Sequence, residues 1–316
     1  ARQYESTDDA FVDAHIVRLA AQEAGTLTKV ANLDNQHVKA GTLLAVIEPS
    51  GQVDKLDEAE ANIRQAREQY RQQLAQISSA QAQRQQAASE ARVPLAAALK
   101  AKQDLQRYLT LAKLDPNAVS GQQLDEARKE VRSTQAQAAA ARSQIESADA
   151  AVTVARKQAD VAEAAIAARQ ASAKASQTNI ANLQIKAPIA GQVVNRQVNV
   201  GSYVAPGSQL MALVPEDMWI TANFKETQLE AMRVGQPVSI KIDAFPNVEF
   251  KGYVASFQQG AGQAFAILPP QNATGNFVKV VQRVPVRIVF DVKNGPDPRK
   301  YPIGPGMSAV PTVKVR

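Results

Sequence analysis

Between residues 124 and 180 every seventh residue is apolar: Leu124, Val131, Ala138, Ile145, Val152, Ala159, Ile166, Ala173 and Ile180. Four residues after each of the first eight stands a polar one: Arg128, Gln135, Arg142, Asp149, Arg156, Glu163, Gln170 and Gln177. A strict seven-residue repeat drifts off one side of a straight α-helix, so it is kept where two helices supercoil about a shared seam. A weaker repeat precedes it at Leu56, Ile63, Tyr70, Ile77, Ala91, Ala98 and Leu105, with Arg84 interrupting its register. Pro94 removes a backbone donor and predicts a kink in that first arm. Between the arms, Asp115-Pro116 and Gly121 stop one helix, and Ser120 is placed to cap the next. Two arms of similar length, each roughly 90 Å at about 1.5 Å per residue, predict one antiparallel hairpin. Many second seam positions are alanine (Ala59, Ala66, Ala80, Ala127, Ala141, Ala148, Ala155), which permits close approach but buries little per residue.

Outside the hairpin the period changes. Residues 54–182 hold 35 alanines and 19 glutamines with one glycine, Gly121, and two prolines, whereas the flanks hold the other glycines and prolines and most of the aromatics. The flanks therefore read as short strands and turns. They also carry a split repeat. Ala24-Gly25 is followed sixteen residues later by Gly41 of Val38-Lys39-Ala40-Gly41, then by a run to Ile47-Glu48-Pro49; Ala190-Gly191 is followed at the same spacing by Gly207 of Val204-Ala205-Pro206-Gly207, then by Leu213-Val214-Pro215. Equal internal spacing predicts two similar half-sheets, an arrangement that resembles the lipoyl/biotinyl β-sandwich. In carrier domains of that fold the joining turn presents a modified lysine. Here Lys55 falls near that place but at a helix start, and it reads as a solvated side chain. After residue 217, runs such as Met218–Phe224, Pro237–Ile242, Phe250–Phe257, Val284–Phe290 and Ala309–Val315 predict a small β-barrel. Lys225–Met232 reads as a short helix, and Ala10–Val17 as a strand beside the C-terminus.

Chemistry is sparse. With no cysteine and only His15 and His37, thiol nucleophiles, disulfides, thiolate metal sites and histidine-rich metal sites are excluded. Asp8-Asp9 are strand neighbours that point to opposite faces and do not converge on a substrate. Gly201…Gly207 and Gly260-Ala261-Gly262 lack the strand-to-helix setting of a phosphate loop. Asn272-Ala273-Thr274 matches a glycosylation acceptor by chance. No catalytic residue, metal site or cofactor is predicted, and no basic cluster with stacking aromatics suggests nucleic acid. No stretch approaches the roughly 18 to 20 apolar residues of a membrane span.

The order of half lipoyl-like sheet, hairpin, second half and barrel resembles the membrane fusion proteins, or periplasmic adaptors, of tripartite efflux and type I secretion systems. Thr7-Asp8-Asp9-Ala10-Phe11-Val12, Asn223-Phe224-Lys225-Glu226-Thr227-Gln228-Leu229, Met232-Arg233-Val234-Gly235-Gln236-Pro237-Val238 and the long string from Pro269 to Arg287 are similar to the EmrA branch. The fold expected is mainly α plus β, elongated and multi-module. Residues 1–17 give a barrel strand, 18–53 the first half of the lipoyl-like domain, 54–182 the hairpin with its tip at about 112–121, 183–216 the second half and 217–316 the barrel. The resemblance implies an adaptor linking an inner-membrane, EmrB-like transporter of the major facilitator superfamily to a TolC-like outer-membrane channel. It implies self-association around that channel, and periplasmic location with an N-terminal membrane helix upstream of this sequence. A type I secretion adaptor for an ABC exporter and a structural coiled-coil spacer are the alternatives.

Many family members dock through a tip Arg, a Leu four residues on and a Ser seven beyond that. Arg107 and Leu111 keep the first spacing; Ser120 comes nine residues after Leu111, in a turn about two residues longer. The same residues also read as a solvated arginine, a seam leucine and a helix cap. Charge adds one location. The overall balance, 36 Lys+Arg against 30 Asp+Glu, is modest. Residues 279–316, however, carry Lys279, Arg283, Arg287, Lys293, Arg299, Lys300, Lys314 and Arg316 against Asp291 and Asp297. The first six are candidates for a barrel face that meets anionic lipid or the transporter.

Overall fold

Two heptad repeats between two β-patterned flanks become three helices between two sets of strands. The computed structural model describes residues 3–267 and 281–316. In chain order the elements are β1 (Tyr4–Ser6), β2 (Ala10–Ala14), β3 (Val17–Ala20), β4 (Gly25–Val30), β5 (His37–Val38), β6 (Leu43–Ile47), α1 (Gln52–Glu90), α2 (Arg92–Leu114) and α3 (Gly121–Ala181). They continue with β7 (Gln184–Lys186), β8 (Gly191–Val194), β9 (Tyr203–Val204), β10 (Gln209–Val214), β11 (Met218–Lys225), β12 (Pro237–Ile242), β13 (Phe245–Phe257), β14 (Arg283–Phe290) and β15 (Ala309–Lys314). Gly51–Ile180 forms one unit; the strands before and after it form the other.

In the helical unit all nine heptad positions of α3 are buried or half-buried, and all eight polar companions are exposed. The seam is antiparallel: Ile77 and Ala80 of α1 pack against Val152 and Ala155 of α3. Where Arg84 interrupts the apolar register, Asp149 of α3 meets it in a cross-arm ion pair. The alanine positions of the seam yield only about 0.8 kcal/mol for each buried methyl-sized group, so much of the arms' contact is weak and spread along their length. The first arm divides at Ala91, between α1 and α2. Pro94 is the cause: it has no N–H for the Glu90 carbonyl, and its ring crowds that same oxygen.

In the strand unit, two four-stranded sheets, β3-β10-β8-β5 and β7-β6-β4-β9, make the sandwich. The halves exchange short strands, since β5 pairs with β8 and β9 with β4. The repeated glycines have equivalent duties. A Cβ on Gly25 would lie 2.8 Å from the Glu48 carbonyl oxygen, and one on Gly191 2.6 Å from that of Val214, so each allows a strand end to press on its partner. Gly41 and Gly207 both turn at positive φ, 86° and 90°. Leu27, Leu44, Ile47, Leu210 and Leu213 fill the space between the sheets. Arg196 of the second half grips Asp34 of the first through bonds of 2.8 and 2.9 Å. That hydrogen bond raises the Arg196 pKa above its ordinary value.

The remaining strands form a seven-stranded antiparallel sheet, β1-β15-β12-β13-β14-β11-β2. A bridge from Phe11 to Ser308, with the Val12 N–H donating to the Met307 carbonyl at 2.8 Å, returns β2 to the residues leading into β15 and curls the sheet. Tyr4–Ser6 is the N-terminal segment that runs along the C-terminal strand, whereas Ala10–Ala14 pairs with β11. Inward residues alternate, as Ile220, Ala222 and Phe224 show on β11. Phe250 sits edge-on to Phe290 and Tyr301, at 6.0 and 5.4 Å between ring centres. Glu226–Ala231 is a single 3-10 stretch of six residues.

Gly191→Ala is expected to lower the unfolding free energy of the strand unit by about 1–3 kcal/mol, because the clash is with backbone that has nowhere to move. Gly121→Ala, where a Cβ meets nothing within 4 Å, is expected to leave stability unchanged or raise it by up to about 1 kcal/mol. Urea denaturation of the two variants checks the contrast.

Candidate functional site

The hairpin turn is built from its own side chains. Asp115 is extended, as a residue before proline must be, and its N–H still donates to the Leu111 carbonyl at 3.0 Å. Its carboxylate accepts from the Asn117 N–H at 3.0 Å and its carbonyl from the Ala118 N–H at 3.0 Å. Val119 is tucked in. Ser120 Oγ accepts from the Gln123 N–H at 3.2 Å while Gln123 Oε1 accepts from the Ser120 N–H at 3.0 Å, a reciprocal capping box that starts α3.

Just short of this turn, a cleft of about 860 Å3 opens between the arms, walled by Ala101, Asp104 and Tyr108 of α2 and by Ser120, Gln123 and Ala127 across from them. Arg107 and Leu111 share one face of α2, four residues apart. Arg107 pairs with Asp104 at 3.3 Å while its side chain stays 69% exposed. Leu111 is 42% and Leu114 79% exposed, two apolar side chains in the last turn before the bend. The structure thus brings Ser120 to the cleft together with the partner of Arg107. Lys55 is exposed in the first turn of α1.

The barrel cations have different neighbours. Lys279 lies outside the described residues, as does Asn272. Arg283 pairs with Asp9 at 3.2 Å and donates to the Asn223 carbonyl. Four residues along β14, Arg287 lies over the Trp219 ring, 3.8 Å from its centre, and reaches His15 Nε2 at 3.5 Å. Lys293 is exposed in the turn after β14. Arg299 holds Asp297 through three bonds of 2.9–3.1 Å, and Lys300 follows it. Those bonds keep the Asp297 carboxyl below the ordinary carboxylate range and raise the Arg299 guanidinium, to which the fields of Glu216 and Asp217 add. Arg287 and Arg299 line one cleft; Arg283 does not. Among the described residues no group of three or more acidic or histidine side chains is placed to hold a metal ion, and no helix is long and apolar enough to cross a membrane.

The grouping of His15, Trp219 and Arg287 was not read from the sequence. Strand alternation puts Trp219 on the outer face, opposite in parity to Ile220, but its neighbours come from pairing β11 with β2 and β14 across some two hundred and some seventy residues.

A family model for the RND MFP barrel-sandwich hybrid domain matches residues 15–216, and one for the CusB-like beta-barrel domain matches residues 217–280. The chain is 40% identical to the fatty acid resistance protein FarA of Neisseria gonorrhoeae, over 98% of this chain and 75% of that protein. It is 35% identical to the multidrug export protein EmrA of Escherichia coli K12, over 99% of this chain and 77% of the relative. Among solved structures, MacA from Actinobacillus actinomycetemcomitans aligns with a TM-score of 0.55 at 18% identity, covering 99% of this chain and 80% of that one. That likeness concerns the fold.

Ser120→Ala removes the hydroxyl that caps α3 and is expected to cost about 1 kcal/mol of hairpin stability. Arg107→Ala breaks one exposed pair and is expected to cost less than about 0.5 kcal/mol. Thermal melts followed by helical circular dichroism rank the two.

Proposed function

The chain belongs to the EmrA-type membrane fusion proteins, the periplasmic adaptors of efflux systems, and from that premise we propose how it is wired to its partners. It links an inner-membrane drug transporter of the major facilitator superfamily, EmrB-like in kind, to a TolC-like outer-membrane channel, with the hairpin turn as the channel end. A helix preceding this sequence anchors it to the inner membrane. The role is connective, with no catalytic step.

The observation that carries the channel end is the surface of α2 before the turn. Arg107 is exposed in a shallow pair, and Leu111 and Leu114 present apolar surface that nothing within the hairpin covers. Exposed apolar side chains rimmed by charge at the end of a helix are what a partner's helix ends bury. Arg107 supplies donors that leave Asp104 for a new acceptor at small cost, because an exposed i,i+3 pair contributes little. The same premise supports copies of the chain assembling around the channel.

The full-length protein, cross-linked in cells, is expected to be recovered with both a facilitator-type transporter and an outer-membrane channel. Arg107→Asp with Leu111→Asp is expected to keep the transporter, lose most of the channel and abolish drug tolerance, with hairpin helicity intact. Recovery of the channel at wild-type level by that variant removes the tip from the interface; recovery with an ABC exporter instead of a facilitator replaces the transporter assignment.

A further inference from the structure

The outer face of the barrel sheet holds a cleft of about 580 Å3 for which the linking role has no use. That is the size of a site for one small organic molecule. Its apolar wall is made by Met218, Trp219, Val289, Val292 and Pro298. Its charges fall into two groups. Arg287 lies over Trp219 and reaches His15 Nε2. A guanidinium only donates, and most of the five N–H groups of Arg287 remain unspent. Among the described residues no carboxylate pairs with it. Its planar fork suits an acidic group taken up by two parallel bonds.

Glu216 and Asp217 line the same cleft, and their field acts on Arg299. Arg299 is already engaged by Asp297 through three hydrogen bonds. Beside that pair the same cleft holds one further cation, Arg287, and two carboxylates, Glu216 and Asp217. A ligand with one charge can pair with only one of these groups. A ligand with both charges satisfies both.

We propose that this cleft binds a small amphipathic zwitterion, with its acidic group on Arg287, its apolar body against Trp219 and Met218, and its ammonium group toward Glu216 and Asp217. His15 lies between β2 and β3, and Glu216-Asp217 between β10 and β11, so the ligand touches both chain crossings between barrel and sandwich. The inference does not depend on the export role.

Trp219 is the only tryptophan in the chain, so its fluorescence reports on the cleft directly. The protein is titrated with aminoundecanoate, undecanoate and undecylamine, each below its micelle concentration, with calorimetry in parallel. The zwitterion is expected to bind saturably, one molecule per chain, at least about tenfold tighter than either single-charge probe. Arg287→Gln is expected to weaken it to the level of undecylamine, and Glu216→Gln with Asp217→Asn to the level of undecanoate. The acidic positions are exposed, so that double variant retains the fold; circular dichroism verifies both. No saturable binding by either method, equal affinity for all three probes, tighter binding of a single-charge probe, or wild-type affinity in both folded variants overturns the proposal.

Discussion

The structure depends on two points of the chain meeting after a long excursion. The Ile47 N–H donates to the Leu183 carbonyl at 2.8 Å, and β6 pairs with β7 just beyond the ends of the helical unit. Without help, closing so long a loop costs on the order of 4 kcal/mol in chain entropy. The alanine seam removes that cost stepwise. The seam runs from the turn at Asp115 to Ser120 down to Ala59 and Ala173, which are buried close to the hairpin's two ends. Thin but continuous packing is well suited to this, because no single contact has to hold the arms and the ends are still delivered together. The strand exchange between half-motifs depends on the same meeting of ends, since β5 and β9 each complete the sheet of the other half.

What could be read from residues alone was what is periodic or repeated at fixed spacing. The heptad at Leu124 to Ile180 encodes both the helix and its buried side, and the Gly25/Gly191 pair marks equivalent close approaches because the geometry that forbids a Cβ recurs in each half. Pro94 announces its break through local stereochemistry. What could not be read was any side-chain pairing between segments distant in the chain. Arg84 looked like a flaw in the seam; Asp149, counted as a solvent-side residue of the other arm, makes it a cross-arm pair.

The C-terminal charge excess shows the same limit. Along the chain it is a run of cations with two acids, but Arg283 meets Asp9 from the far N-terminal end and Arg287 lies on Trp219 beside His15. Residues more than two hundred positions away thus engage Arg283 and Arg287, a relation that the local run of cations does not announce. Net charge over a window is a statement about composition, and a surface patch is a statement about register.

The turn places its own constraint on how the hairpin end can recognise a partner. Ser120 Oγ already accepts from the Gln123 N–H, so a partner that recruited this hydroxyl as acceptor would compete with the cap that starts α3. The longer turn is stiffened by the Asp115 carboxylate and by proline at 116, which leaves little freedom to swing Ser120 elsewhere. Arg107 and Leu111 carry no such commitment, one in an exposed pair and the other open to solvent. On the docking reading, recognition therefore rests on the α2 side of the turn, with Ser120 fixing the angle at which that side is presented.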